Sequence, residues 1–229
     1  MNYSNVAEGV FLERPNRFIA IVEIDGKEEI CHVKNTGRCK ELLVRGATVY
    51  LCRSENTQRK TKYDLVAVKK GDRLVNIDSQ APNLAVKEWL PHLFSDGKRF
   101  LSEVTFGKSR FDFYVETDRK RIFLEVKGVT LEENGIVRFP DAPTERGVKH
   151  VLELAECVRQ GYDAYVLFVI QMSGVRYFEP NDATHRGFGD ALRTAKRNGV
   201  RILARECDVW KEGMSVGESV EVRLNESEE

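Results

Sequence analysis

The chain has 229 residues, 41% of them hydrophobic, and its 36 Lys and Arg balance 36 Asp and Glu to a formal net charge of zero. That composition excludes a disordered chain, and the absence of any apolar run near about 20 residues excludes a membrane span; the start "MNYSNVAEGVFLERP" also lacks the order of a secretion signal, so a cytoplasmic protein is expected. Cys31, Cys39, Cys52, Cys157 and Cys207 are scattered with no C-x-x-C spacing, which excludes a zinc site or disulfide framework and predicts reduced, mostly buried thiols.

The zero net charge hides an asymmetry. Positions 34–73 carry eleven Lys or Arg against four Asp or Glu, whereas positions 206–229 carry eight acidic residues against two basic ones. A basic segment of this kind suits a polyanion, with a plain solvated surface as the alternative.

In chain order, "RFIAIVEI" and "EEICHV" flank the turn signal "DGK", and "TVYLCR", "TKYDLVAV" and "RLVNID" follow. Five short strands in some eighty residues predict a barrel of the oligonucleotide-binding type, with "GRCKELL" as one helical turn. A boundary is placed after residue 80, giving domains 1–80 and 81–229. The helix "SQAPNLAVKEWLPHL" is then predicted with Asn83 as N-cap and Pro91 as its stop. Strands "RFDFYVE" and "RIFLEVK" join through "TDRK". A helix capped by Thr144 buries Val148, Leu152, Ala155 and Val158; strand "YDAYVLFVIQ", helix "GDALRTAKRNG" and strand "VRILARECDV" complete a mixed sheet flanked by helices. The acidic end "NESEE" reads as frayed.

The chemistry lies in the hairpin. If it is symmetric about the Asp118–Arg119 bond, Asp112 stands opposite Glu125, with Cβ atoms roughly 5 Å apart. Phe111 and Phe113 then share one face, and Asp112, Glu125 and Lys127 the other. Two carboxylates so close repel unless a cation neutralises them. Mg²⁺ or Mn²⁺ would do so, and Lys127 would hold a water or offset charge on a phosphate. A solvated ion pair on an edge strand is the alternative. Glu145 with Lys149, and Arg146 with His150, fall at i and i+4 at the start of the next helix, a natural phosphate site. Glu88 is a further candidate metal carboxylate.

An Asp followed by Glu-x-Lys on adjacent strands resembles the PD-(D/E)xK nuclease core. "CHVKNTGRCKELL", "PNLAVKEWL", "SEVTFGKSRFDFYVE", "LEVKGVTL" and "FPDAPTERGVKHVLEL" together resemble the sugar fermentation stimulation protein A family along the whole chain. The resemblance implies an N-terminal OB-like barrel, a restriction-endonuclease-like mixed sheet, and a DNA-binding protein linked to expression of sugar-utilisation genes. By motif it implies Asp112, Glu125 and Lys127 as site residues and adds Glu103, from "SEV", to the acidic set. Arg17, Phe18, Asn35, Arg38, Arg59, Lys60 and Lys62 are the candidate DNA contacts of the barrel, since such barrels pair cationic grooves with stacking aromatics. The partner is expected to be DNA, double-stranded first and single-stranded as the alternative, and the sheet edge leaves room for a homodimer. Two functions stand: a divalent-metal-dependent nuclease, or a DNA-binding regulator with a catalytically silent nuclease fold.

Overall fold

The structure is a computed structural model that describes residues 1–35, 37–56 and 58–224, so the acidic end "NESEE" lies outside the described residues. Six strands open the chain: β1 (Val6–Asn16), β2 (Ile19–Ile24), β3 (Lys27–Val33), β4 (Thr48–Arg53), β5 (Tyr63–Lys70) and β6 (Arg73–Asn76). They pair in the order β3-β2-β1-β4-β5-β6, and a parallel β3–β5 pairing closes the barrel. Ala20, Val22, Val49, Leu51, Leu65 and Val68 fill its interior. The five expected strands are present. β1 was not expected; its Gly9 and Pro15 are unfavourable in a strand, but a Cβ at position 9 would lie 2.8 Å from the Glu23 carbonyl oxygen, so glycine is what lets β1 and β2 approach. Asp25 and Gly26, with φ of 51° and 73°, make the tight β2–β3 turn. The turn at 39–43 is helical, with Leu43 N–H on Cys39 O at 2.9 Å.

Helix α1 (Ala81–Leu93) differs from expectation at both ends. Its N-cap is Gln80, Asn83 lies inside the first turn, and Pro91 is within the helix. Pro82, in the first turn, has the fixed φ that suits a helix start and lacks an N–H where none would be bonded, while Pro91 so near the end sacrifices a single backbone bond.

The second sheet has nine strands in the order β10-β11-β13-β15-β14-β12-β9-β8-β7: β7 (Arg99–Phe106), β8 (Ser109–Glu116), β9 (Arg121–Val129), β10 (Glu132–Glu133), β11 (Ile136–Phe139), β12 (Asp163–Ile170), β13 (Tyr177–Pro180), β14 (Arg201–Trp210) and β15 (Gly213–Val222). Helices α2 (Glu145–Arg159) and α3 (Asp182–Arg197) pack together on one face, and α1 on the other. β7, β10, β11, β13 and β15 were not expected: they are short or largely solvated, and lack the apolar run that marks β12. The buried face of α2 is also rotated. Gly147, His150, Val151, Leu154, Ala155 and Cys157 are buried, whereas Leu152 is 42% exposed, because the face follows the inward-pointing His150 ring.

Two contacts bind barrel to sheet. Glu132 is buried and receives Lys70 Nζ at 2.7 Å, Arg73 Nη1 at 3.0 Å and Gly135 N–H at 2.6 Å. Burial alone would raise its pKa, but the Lys70, Gly135 and Arg73 interactions outweigh it and hold the carboxyl below its usual value. A carboxyl depressed by folding stabilises above its unfolded pKa and ceases to as pH falls through the folded one. Glu132→Gln is therefore expected to flatten the acid limb of a stability-versus-pH curve measured by urea denaturation, with a loss at neutral pH of about 1–3 kcal/mol.

The second contact is Gln171. Its Nε2 donates to Asn76 Oδ1 (2.9 Å) and to Asp78 O (3.1 Å), its backbone N–H reaches Val129 O, and its carbonyl accepts Asn76 N–H. Gly128 leaves the space this side chain uses: a Cβ there would meet Gln171 Oε1 at 2.7 Å and Pro82 Cγ at 2.9 Å. Because both neighbours are anchored, Gly128→Ala is expected to cost about 1–3 kcal/mol by overpacking, read as a lowered denaturation midpoint at unchanged m-value.

Candidate metal centre

The β8–β9 hairpin has the register expected for a turn centred on Asp118–Arg119: Glu116 pairs with Arg121, Val115 with Ile122, Tyr114 with Phe123 and Phe113 with Leu124. Thr117 Oγ1 fixes the tip by accepting the N–H groups of Arg119 and Lys120. Beyond Phe113 the ladder ends, and Asp112 turns its carboxylate onto the partner backbone, Oδ2 taking Val126 N–H at 2.7 Å. Alternation breaks at this point. Phe111 packs on Phe123 and edge-on to His150 on the α2 face, while Phe113 joins the α1-side core, so the two rings do not share a face as expected. Across from Asp112, the β7 ladder omits Glu103, whose φ of 62° departs from strand geometry and accounts for the break.

Glu125 is 3% exposed. Its Oε1 accepts Lys127 Nζ at 2.5 Å and His150 Nδ1 at 2.7 Å. Arg146 Nε–H donates to His150 Nε2 at 3.4 Å, which keeps the ring proton on Nδ1 and directs it at Glu125. Glu125 Oε2 is buried and has no hydrogen-bond partner among the described residues. Asp112 Oδ1 accepts Asn83 Nδ2 at 2.8 Å. Burial, and then the charge of Glu125, raise the Asp112 pKa above its usual value, although Val126 N–H, Asn83 and Lys127 oppose the shift.

The structure brings Asp112, Glu125, Lys127, His150 and Arg146 together. It does not bring in the other acidic candidates. Glu88 Oε2 is held by the Met1 ammonium at 2.7 Å, Glu103 pairs with Arg110 at 2.6 Å on the solvent side, and Glu145, 88% exposed, meets His185 at 3.2 Å. Asn83 is the site residue that the sequence reading misassigned. Its signal was an amide one position after Pro82 in the first turn, facing the sheet rather than the helix end.

A donor set of two carboxylates suits a hard divalent ion. Among the described residues no group of three or more His, Cys, Asp and Glu side chains is arranged to hold a metal, so water and substrate oxygens would complete the shell, as is usual for Mg²⁺. The unpartnered, buried Glu125 Oε2 and the raised Asp112 pKa both fit such an ion.

On the barrel, Arg17 lies over the Phe18 ring at 4.9 Å, and Phe18 is 44% exposed. Arg38 and Lys60 are exposed. Arg59 is instead committed to Asp64 (2.6 and 3.0 Å) and Lys62 to Glu29 (3.1 Å). Asn35 spans Ile77 O and Gly37 N–H, and Arg14 gathers the carbonyls of Arg17, Asn35, Gly37 and Arg38 at 2.7–2.9 Å, fixing the loop on which Arg38 stands.

Fold and site define a class: an OB-type barrel fused to a mixed α/β sheet that carries a carboxylate–lysine centre on its β8–β9 hairpin. Residues 12–77 match the family model of the SfsA N-terminal OB domain, and residues 80–213 that of the sugar fermentation stimulation protein RE domain. The chain belongs to the sugar fermentation stimulation protein (SfsA) family. It is 57% identical over 227 residues to a sugar fermentation stimulation protein homolog of Desulfitobacterium hafniense, spanning 99% of this chain and 100% of that protein. A homolog of Clostridium beijerinckii is 58% identical over 226 residues, spanning 98% and 100%. Among solved structures, Pyrococcus furiosus SfsA in complex with Ca²⁺ superposes with a TM-score of 0.85 at 28% identity, over 97% of this chain and 98% of that one. No helix of the described residues is long and apolar enough to cross a membrane.

Proposed function

We propose that the protein binds DNA through its barrel and hydrolyses phosphodiester bonds at Asp112, Glu125 and Lys127 with Mg²⁺ or Mn²⁺. One observation carries the reading: a buried glutamate divides its oxygens, Oε1 engaged by Lys127 and His150 and Oε2 left unpartnered, beside an aspartate whose charge that glutamate disfavours. The Ca²⁺ complex of the Pyrococcus relative supports a hard, oxygen-bound ion. Held by the two carboxylates, such an ion would supply Lewis-acid polarisation of a phosphate and a more acidic water.

The chain's own groups do the rest. Asn83 and Val126 N–H fix Asp112, and His150, oriented by Arg146, fixes Glu125. Lys127, 16% exposed at its side chain, can donate to a water or to a non-bridging phosphate oxygen and offset charge developing there. Arg146, exposed at the start of α2, adds a cation and a helix N-terminus for the flanking phosphate.

A second reading is a DNA-binding regulator that does not cut, in which Lys127 and His150 themselves offset the charge of Glu125. Incubation with single- and double-stranded DNA in Mg²⁺, Mn²⁺ or chelator separates the two. Cleavage that needs the metal supports the nuclease; retention without cleavage supports the regulator; no retention defeats both. Reversing Arg17, Arg38 and Lys60 to Glu is expected to weaken binding and lower the log–log salt slope by about 2–3 for duplex DNA, measured by titration at several salt concentrations.

A further inference from the structure

Between barrel and sheet lies a cleft of about 190 Å³ that neither the hairpin chemistry nor the barrel surface uses. It touches both. Gly37 lines this cleft and also a basic pocket of about 410 Å³ lined by Arg17, Arg38 and Lys40. On its other side stands Gly128, the residue after Lys127, and Thr130, three residues past Lys127 on the same segment, also lines it, roughly 10 Å along. A nucleic-acid strand that entered at the basic pocket and ran toward the end of β9 would pass this cleft.

The walls have the chemistry of a base site. Val129 and Phe139 give apolar surface, and Asp141 and Gln171 give hydrogen-bonding groups. Gln171 spends its Nε2 on Asn76 and Asp78, and its Oε1 is turned toward Gly128. Asp141 accepts Arg38 N–H on Oδ2 at 3.2 Å, and among the described residues its Oδ1 takes no hydrogen bond. Two acceptors beside an apolar wall match the edge of a base that bears an amino group. The volume lies below the ~300 Å³ typical of small-molecule pockets, which suits a single base and excludes a base pair.

We propose that this cleft receives one unpaired, amino-bearing nucleobase (adenine, cytosine or guanine) of the strand whose phosphate reaches Lys127. The proposal rests on the DNA reading. It makes single strands, flaps and bulges better substrates than intact duplex, in which the base must first leave the stack at a cost of a few kcal/mol.

The test uses the full chain with AMP, CMP and, as a base-free control, ribose 5-phosphate, observed by saturation-transfer NMR and titration calorimetry; retention of a labelled 20-nucleotide DNA is measured in parallel. AMP and CMP are expected to bind through their base protons and ribose 5-phosphate not to bind. Thr130→Phe, which fills the cleft without touching the carboxylates, is expected to weaken nucleotide binding roughly tenfold or more while labelled DNA is still retained. Should that variant fail to fold, Asp141→Ala at the cleft mouth is expected to lower AMP and CMP affinity in the same direction. Equal binding of ribose 5-phosphate, or unchanged nucleotide binding in a folded Thr130→Phe protein, overturns the proposal. DNA retention with no nucleotide binding overturns the cleft assignment alone, whereas nucleotide binding with no DNA retention overturns the DNA reading and the strand path with it.

Discussion

Glu125→Gln is expected to lower metal-dependent DNA cleavage by about 10³-fold or more while the fold and DNA retention persist. The substitution keeps volume and leaves a carbonyl oxygen where Lys127 and His150 now donate, at 2.5 and 2.7 Å. What it removes is the negative charge, and it sets an N–H₂ group where Oε2 lies buried without a partner. Glu125→Ala would be a poorer probe: the buried His150 and the partly buried Lys127 would lose their acceptor, a change worth about 3–5 kcal/mol, and inactivity could then follow from misfolding. Product formed per unit time in Mn²⁺, with a thermal melt of the same preparation, decides the matter. Activity within tenfold of the parent protein would remove Glu125 from the chemistry.

Saturating Mn²⁺ is expected to raise the melting temperature of the parent protein and to leave that of Asp112→Asn unchanged. At a concentration 100 times the Kd, binding adds about 2.7 kcal/mol, which for a chain of this size is roughly 5–10 °C. Without metal the order reverses, and Asp112→Asn melts at or above the parent. The sign follows from the direction of the Asp112 shift. Its pKa is raised by burial and by Glu125, so its ionised form costs stability above the folded pKa, and the cost disappears as pH falls through that value. The advantage of Asp112→Asn should therefore be largest near neutral pH and shrink toward acid. The neutral side chain is accommodated because Asn83, which now donates to Asp112 at 2.8 Å, can turn its amide and accept instead. Scanning calorimetry with and without metal at several pH values reads both effects; a metal-induced rise that survives in Asp112→Asn would place the ion elsewhere.

The barrel, the hairpin and its register were legible because each rests on local rules: turn signals at Asp25-Gly26 and at 117–120, short runs of strand-forming residues in β2 to β5, and a continuous apolar run in β12. Glu125, Lys127 and His150 could be named from spacing because strand and helix periods bring them inward. What stayed hidden was set by tertiary contact. Glu88 and Glu103 carry the right charge in the right neighbourhood, yet their partners are Met1 and Arg110, which no spacing rule connects to them. Asn83 looked like a cap because caps and ligand-positioning amides use the same residue types. The outward turn of Leu152 depended on which of two helix faces His150 claimed.

Gln171 gives the architecture a genetic consequence. One amide side chain, the glycine that makes room for it and the side chain and backbone of Asn76 form a lock whose parts lie on β6, on β9 and just past β12, 95 residues apart at the widest. A barrel transplanted from another protein would arrive without the matching Asn76 to meet Gln171 and Gly128 on the sheet, so recombination at the linker would break the joint even where each half kept its own core. The two halves are exchangeable as shapes but must be inherited as a pair.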